Sequence, residues 1–238
     1  MNMNRENSGY TIIYASVMVI VVALGLAFTH QVLNDKQIAN ENTDKMQQIL
    51  RSLNLEVNAA EAQNKYSELV KNAYLVDDEG VKVEGTEGIT PDDPAFSTEL
   101  GDAQAKGLPV YEAEVDGATK YIIPMSGAGL WGPIWGYLAV ETDGSTIYGS
   151  EFGHAGETPG LGAEIEYAPF RNQFKGKNLF RENEFTSVAV VKPGQTNNRR
   201  DYVDGISGGT ITSKGVDNML LNSVGRYKNF LMNLHTAN

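Results

Sequence analysis

The chain contains no cysteine. That absence removes iron–sulfur clusters, thiolate zinc sites and disulfides, and it suits a domain outside the cytoplasm. Histidine is scarce: three residues are too few for haem or His-rich metal chemistry, so any redox role falls to an organic cofactor. Positive charge is in deficit. There are 19 Lys and Arg against 30 Asp and Glu, a formal net charge of −11 over 238 residues. Nucleic acid, which is bound by basic side chains that neutralise its phosphates, is not an expected partner. The chain is 41% hydrophobic, enough for one sizeable core and an accessory segment.

Charge of either sign is also missing between Glu6 and Asp35, and Tyr10 to Phe28 is almost wholly apolar. At about 1.5 Å per residue, roughly 20 residues span the ~30 Å hydrocarbon core of a bilayer. A cleaved signal peptide would have a basic start, a shorter apolar run and a small-residue cleavage site. Gly25-Leu-Ala27 could supply the last, but the run is long and Arg5 is offset by Glu6. The expectation is an uncleaved transmembrane helix over 9–29. Residues 1–8 would then be cytoplasmic and everything after His30 outside the cytoplasm.

Residues 30–74 are rich in helix formers and are expected to form a helical connector. Ile38, Met46, Ile49, Leu50 and Leu53 would lie on one face, with a second helix over Ala59–Ala73. Residues 75–238 are expected to fold as an α+β domain with a mixed, antiparallel-rich sheet and flanking helices. Leu75–Val83 predicts a hairpin around Gly80, and 84–107 an acidic, solvated loop. Val110–Val115 and Thr119–Pro124 flank Asp116-Gly117, a strong hairpin signal. Gly136–Val140, Thr146–Ser150 and Ser187–Val191 are expected to be strands, and Ile211–Leu231 one long helix.

Three glycine-rich runs carry candidate chemistry. Gly127-Ala-Gly-Leu-Trp-Gly132 matches G-x-G-x-x-G, but Pro133 and Gly136 stand where a dinucleotide-binding helix must begin. A turn between strands fits better, with Leu130 and Trp131 offering apolar surface to a flat ring. His154-Ala-Gly-Glu-Thr-Pro-Gly-Leu-Gly162 is a loop able to form a nest of backbone N–H groups. His154 and Glu157 lack a third metal ligand, so no metal site is expected. Asp204-Gly-Ile-Ser-Gly-Gly-Thr210 leads into the last helix. Gly205–Gly209 matches G-x-S-x-G, and Asp217 and His235 follow in hydrolase order, but the residues before Ser207 are polar rather than a buried strand. A hydroxyl at Thr210, where helix amides lack partners, is instead well placed to hold a phosphate. Lys192, at the end of an apolar strand, could neutralise that phosphate or face the ring.

The run 204–210 resembles the flavinylation motif D-x-x-[ST]-G-A-T. With GLWGPIWGYLAV (129–140), HAGETPGLGAEI (154–165) and FKGK (174–177), the chain resembles the C-subunit family of sodium-translocating NADH:quinone oxidoreductases. The resemblance implies FMN joined covalently through its phosphate to Thr210. It implies an FMN-binding region over about 110–232 that includes Leu130, Trp131, Glu157, Thr158, Gly160, Leu161, Gly162, Lys192, Asp204, Ser207, Gly208, Gly209 and Thr212. It implies a separate flavin transferase that uses FAD and magnesium. It further implies a single-pass subunit of a six-subunit complex in the bacterial inner membrane, with most of the chain periplasmic. Such a subunit passes single electrons and is not catalytic alone. One departure is Gly209, where the motif has Ala. Three rival readings are the G-type covalent-FMN subunit of a ferredoxin:NAD complex, a free-standing membrane-anchored flavin reductase, and a colourless binding module.

Overall fold

The computed structural model describes residues 8–100 and 105–237. The expected cytoplasmic start, residues 1–7, and part of the acidic loop, 101–104, lie outside the described residues. The chain divides into two units between Asp44 and Lys45. Helix α1 (Ser8–Ser52) supplies the first unit. It is long and apolar enough to cross a membrane, and its side chains from Ile12 to Phe28 are exposed along its length. Its last turns belong to the second unit, where Met46, Ile49 and Leu50, with Leu53 just beyond the helix, are buried at helical spacing.

The second unit is α+β. Five antiparallel strands lie in chain order: β1 (Val70–Val76), β2 (Leu108–Val115), β3 (Ala118–Ala128), β4 (Pro133–Val140) and β5 (Ile147–His154). The sheet is covered on both faces. Alternate residues such as Tyr74, Val110, Ile123, Leu138 and Phe152 feed one core; Leu75, Tyr111, Ile122 and Ala139 feed the other. Because both faces are covered, the strands carry nearly continuous apolar runs rather than apolar–polar alternation.

The second core is closed by the end of α1, by α2 (Ala59–Leu69) and by α3 (Pro94–Ser97). Asn58 caps α2 by accepting a hydrogen bond from the Glu61 amide. The expected helix over Ala59–Ala73 ends early. From Val70 the chain is strand β1, because pairing with β2 satisfies its backbone while Val70, Ala73 and Leu75 enter the core. The expected solvated loop is also corrected: α3 buries Phe96, which meets Tyr66 edge-on.

The Asp116-Gly117 hairpin is present, with φ of 53° and 75° at the two turn residues, the left-handed pair this turn requires. Around Gly80 the turn closes through one bridge, Val76 to Lys82. On the first core lie α4 (Ala168–Arg171), the hairpin β6 (Phe180–Arg181) and β7 (Glu184–Phe185), α5 (Thr210–Asn222) and α6 (Lys228–Ala237). The expected helix over Ile211–Leu231 is broken. The Ser223 hydroxyl accepts from the Ser126 amide on β3, and Val224–Tyr227 tightens to a 3₁₀ turn before α6. Two short strands, β8 (Ala189–Val191) and β9 (Tyr202–Asp204), pair in parallel beside α5. The polar residues before Gly205 thus end in a strand the sequence did not suggest.

Candidate functional site

The three glycine-rich runs meet at the start of α5. Thr210 is its first residue and is exposed. Gly209 is the N-cap, so no side chain caps the first turn. Gly208 sits at φ +79°, where an L side chain is strained, and a Cβ there would come within 2.7 Å of Leu161. The turn is fixed from within the helix: the Ile206 amide donates to Ser213 Oγ at 2.8 Å. Ser213 is therefore occupied as a brace for the approach to Thr210.

The GLWG run is the tight turn between β3 and β4, closed by the Gly129 amide on the Gly132 carbonyl at 2.8 Å. A hairpin turn cannot serve as a dinucleotide fingerprint, which needs a strand leading into a helix. The second run leaves β5 at His154 and curls back. The Ala155 amide bonds the Pro133 carbonyl, and the Leu161 and Ala163 amides both bond the Thr158 carbonyl.

Glu157 ties these segments together. Its carboxylate accepts from the Trp131 amide at 2.9 Å and from the Thr212 hydroxyl at 2.5 Å. Both partners in the second bond are buried, with Glu157 at 4% and Thr212 at 1% exposure. Gly129 and Gly162 make room for it: a Cβ on either would lie 2.4 Å from a Glu157 oxygen. Burial pushes this carboxyl up. Hydrogen bonds from the Thr212 hydroxyl and the Trp131 and Leu130 amides, with His154 close by, outweigh that and hold it below the usual carboxylate range. The His154 Nδ1 is used as the acceptor for the Glu157 amide.

Two hollows open here and share Thr210. One, of about 220 Å³, is lined by Leu130, Glu157, Thr158, Leu161, Gly162, Gly208, Gly209 and Thr212. The other, of about 310 Å³, is lined by Lys192, Pro193, Gln195, Ile206, Ser213 and Lys214, among others. Among the described residues outside α1, the exposed large apolar side chains are Val81, Leu130, Trp131, Leu161, Tyr167, Ile211 and Leu221. Leu130, Leu161 and Ile211 border the smaller hollow, and Trp131 stands beside Leu130. Water-facing apolar side chains gathered at one mouth suit a flat aromatic ligand.

Most residues expected at the site are thus brought together. Gly160 is at the exposed tip of its loop with φ +74°. Ser207 is exposed in the turn. Asp204 lines neither hollow: its carboxylate accepts from the Gly194 amide at 3.3 Å, bracing the loop after Lys192. Lys214, Gln195 and Ile206 were not anticipated; Lys214 could have been found as the residue one helical turn beyond Thr210. The hydrolase arrangement does not assemble. Asp217 accepts from the Val190 amide and pairs with Arg200, while the His235 ring stacks on Phe180.

Residues 129–224 match the family model described as the FMN-binding domain. The chain is 34% identical to the C subunit of the Na(+)-translocating NADH-quinone reductase of Vibrio parahaemolyticus, over 84% of this chain and 82% of that one. It is 31% identical to the same protein of Yersinia pestis, over 90% and 88%. Among solved structures it is similar to the C subunit from Parabacteroides distasonis, with 55% identity and a TM-score of 0.77, covering 84% of this chain and 96% of that one. NqrC of Shewanella oneidensis gives 25% identity and a TM-score of 0.67, covering 83% and 99%. Similarity at this level along most of both chains, over a fold in which the flavin-domain residues converge, shows that the chain belongs to the C-subunit family of Na(+)-translocating NADH-quinone reductases.

Proposed function

We propose that this protein carries FMN as a phosphoester on Thr210 and passes single electrons between redox centres of partner subunits in a six-subunit sodium-pumping NADH:quinone oxidoreductase. The observation that carries the reading is the position of Thr210. Its exposed hydroxyl stands at an uncapped helix start, on the divide between an apolar-rimmed hollow and a lysine-lined one.

The residues present fit FMN. Gly208 makes a left-handed turn at the edge of the smaller hollow, where a Cβ would press on Leu161, and the helix amides suit a phosphate. When bound, FMN supplies the one-electron chemistry. The protein positions it. Leu130, Trp131 and Leu161 exclude water from the ring, and Glu157, held ionised, locks the two loops that support it. Thr158, Gly160, Gly162 and Thr212 belong to the same loops and helix, and Ser207, Gly208 and Gly209 shape the approach to Thr210. Asp204 braces the loop after Lys192 through the Gly194 amide.

In this reading residues 1–8 are cytoplasmic, 9–29 span the bacterial inner membrane and 30–74 connect to a periplasmic domain over 75–238. The FMN region runs over about 110–232, and a flavin transferase installs the cofactor. The test is ultraviolet in-gel fluorescence of the denatured full chain co-expressed with a flavin transferase, beside Thr210→Ala. A fluorescent wild-type band and a dark mutant are expected. A fluorescent Thr210→Ala band overturns the assignment of the residue. A dark wild-type band, with the transferase active on a control substrate, overturns covalent attachment.

A further inference from the structure

We infer that Lys192 and Lys214 form a two-lysine clamp for the phosphate of the cofactor, so that the anionic end of FMN turns into their hollow and the ring into the other. This rests on Thr210 as the attachment residue and assigns a role to Lys214 that neither the motif nor the family model names.

The geometry comes from two separate elements. Lys214 lies four residues after Thr210 on α5, hence on the same helical face. Lys192 follows β8 and lines the same hollow of about 310 Å³ as Lys214. Several cations of this acidic protein are paired with carboxylates: Arg51 and Arg171 with Glu151, Lys120 with Glu141, Arg200 with Asp217. Lys192 and Lys214 have no such partner among the described residues. The one carboxylate lining the hollow, Asp217, is already bonded to Arg200 and to the Val190 amide. Two like charges facing one cavity repel each other, and an anion placed between them relieves that repulsion while gaining two charge-assisted hydrogen bonds.

The chemical division is equally plain. The lysine hollow carries two cations, and the Leu130–Leu161 hollow carries none: its one charged side chain is the Glu157 carboxylate, which accepts from Trp131 and Thr212. Thr210 is the one residue that lines both. A ligand with a phosphate at one end and a flat ring at the other, joined at Thr210, matches this polarity; uncharged riboflavin would leave the lysines unanswered.

The experiment compares the melting temperature of the full chain in detergent with and without attached flavin. The proteins are wild type, Lys192→Gln, Lys214→Gln, the double variant, and Lys228→Gln, an exposed lysine on α6 that lines neither hollow. Flavin attachment is expected to raise the melting temperature of the wild type. Each clamp variant should lose about 2–4 °C of that gain, the double variant most of it, and rising salt should shrink it. Without flavin the clamp variants should melt at or above the wild-type temperature, which separates the clamp from a role in folding. The phosphorus NMR resonance of the attached phosphate should move in both clamp variants and stay put in Lys228→Gln. An unchanged gain and an unmoved resonance in the clamp variants overturn the clamp while leaving Thr210 flavinylated. Absence of attached flavin in the wild type overturns the underlying reading instead.

Discussion

Replacing Glu157 by Gln tests how the two loops at the candidate site are held. The substitution keeps the shape of the side chain but removes the charge and one of the two acceptor oxygens. In the wild type one oxygen accepts from the Trp131 amide and the other from the Thr212 hydroxyl. A Gln must turn its NH₂ toward one of these donors. A hydrogen bond to a charged group contributes about 1.5–3 kcal/mol, so we expect a loss of roughly 2 kcal/mol, or about 4–8 °C in melting temperature for a domain of this size. The pH dependence gives a second, independent check. The folded pKa of Glu157 lies below its ordinary 4.5. Its stabilisation is therefore fully present above the unfolded-state value and is lost as pH falls through the folded value. Thermal melts of wild type and Glu157→Gln should differ at neutral pH, and the gap should close on acidification below 4.5. Equal melting at neutral pH, or a gap that persists undiminished in acid, would refute the reasoning.

Other consequences follow from the same structure. Gly208→Ala places an L residue at φ +79° and presses on Leu161; it should cost about 1–2 kcal/mol and lower flavin attachment, read by denaturant titration and in-gel fluorescence. Phe96→Ala empties a fully buried position on α3 and should cost about 3–5 kcal/mol in a urea melt, without changing the flavin spectrum. Arg171→Met removes a partner of buried Glu151 and of Glu56. It should destabilise by about 3 kcal/mol, and adding Glu151→Gln should recover part of that loss in the same assay.

The three glycine-rich runs that converge at the start of α5 were more legible in the sequence than the scaffold around them. The Asp116-Gly117 turn was legible because both residues tolerate a left-handed backbone, and the strands beside it carry apolar residues with few interruptions. Strand β1 was not. Val70–Val76 follows directly on α2 and includes Lys71 and Asn72, so only pairing with β2 distinguishes it from a last helical turn. Phe96 sits alone in an acidic stretch, and nothing local shows that Tyr66 and Tyr111 pack around it. The break in the last helix depends on a hydrogen bond from β3, some 97 residues away in sequence. At the site, the glycine runs were visible as motifs. The burial of Glu157 was not, because it arises only when Gly129, Gly162 and Thr212 converge on it. Lys214 was passed over because an exposed helix lysine has no local mark; the hollow it shares with Lys192 exists only in the folded chain.

The most direct test of the account is tandem mass spectrometry of the peptide containing Asp204–Thr210 from the flavinylated full chain. The account predicts an added mass equal to FMN less water, with fragments placing it on Thr210 and none on Ser207, Thr212 or Ser213. An unmodified peptide from a protein that fluoresces in the gel, or fragments that place the flavin on another residue, would contradict it.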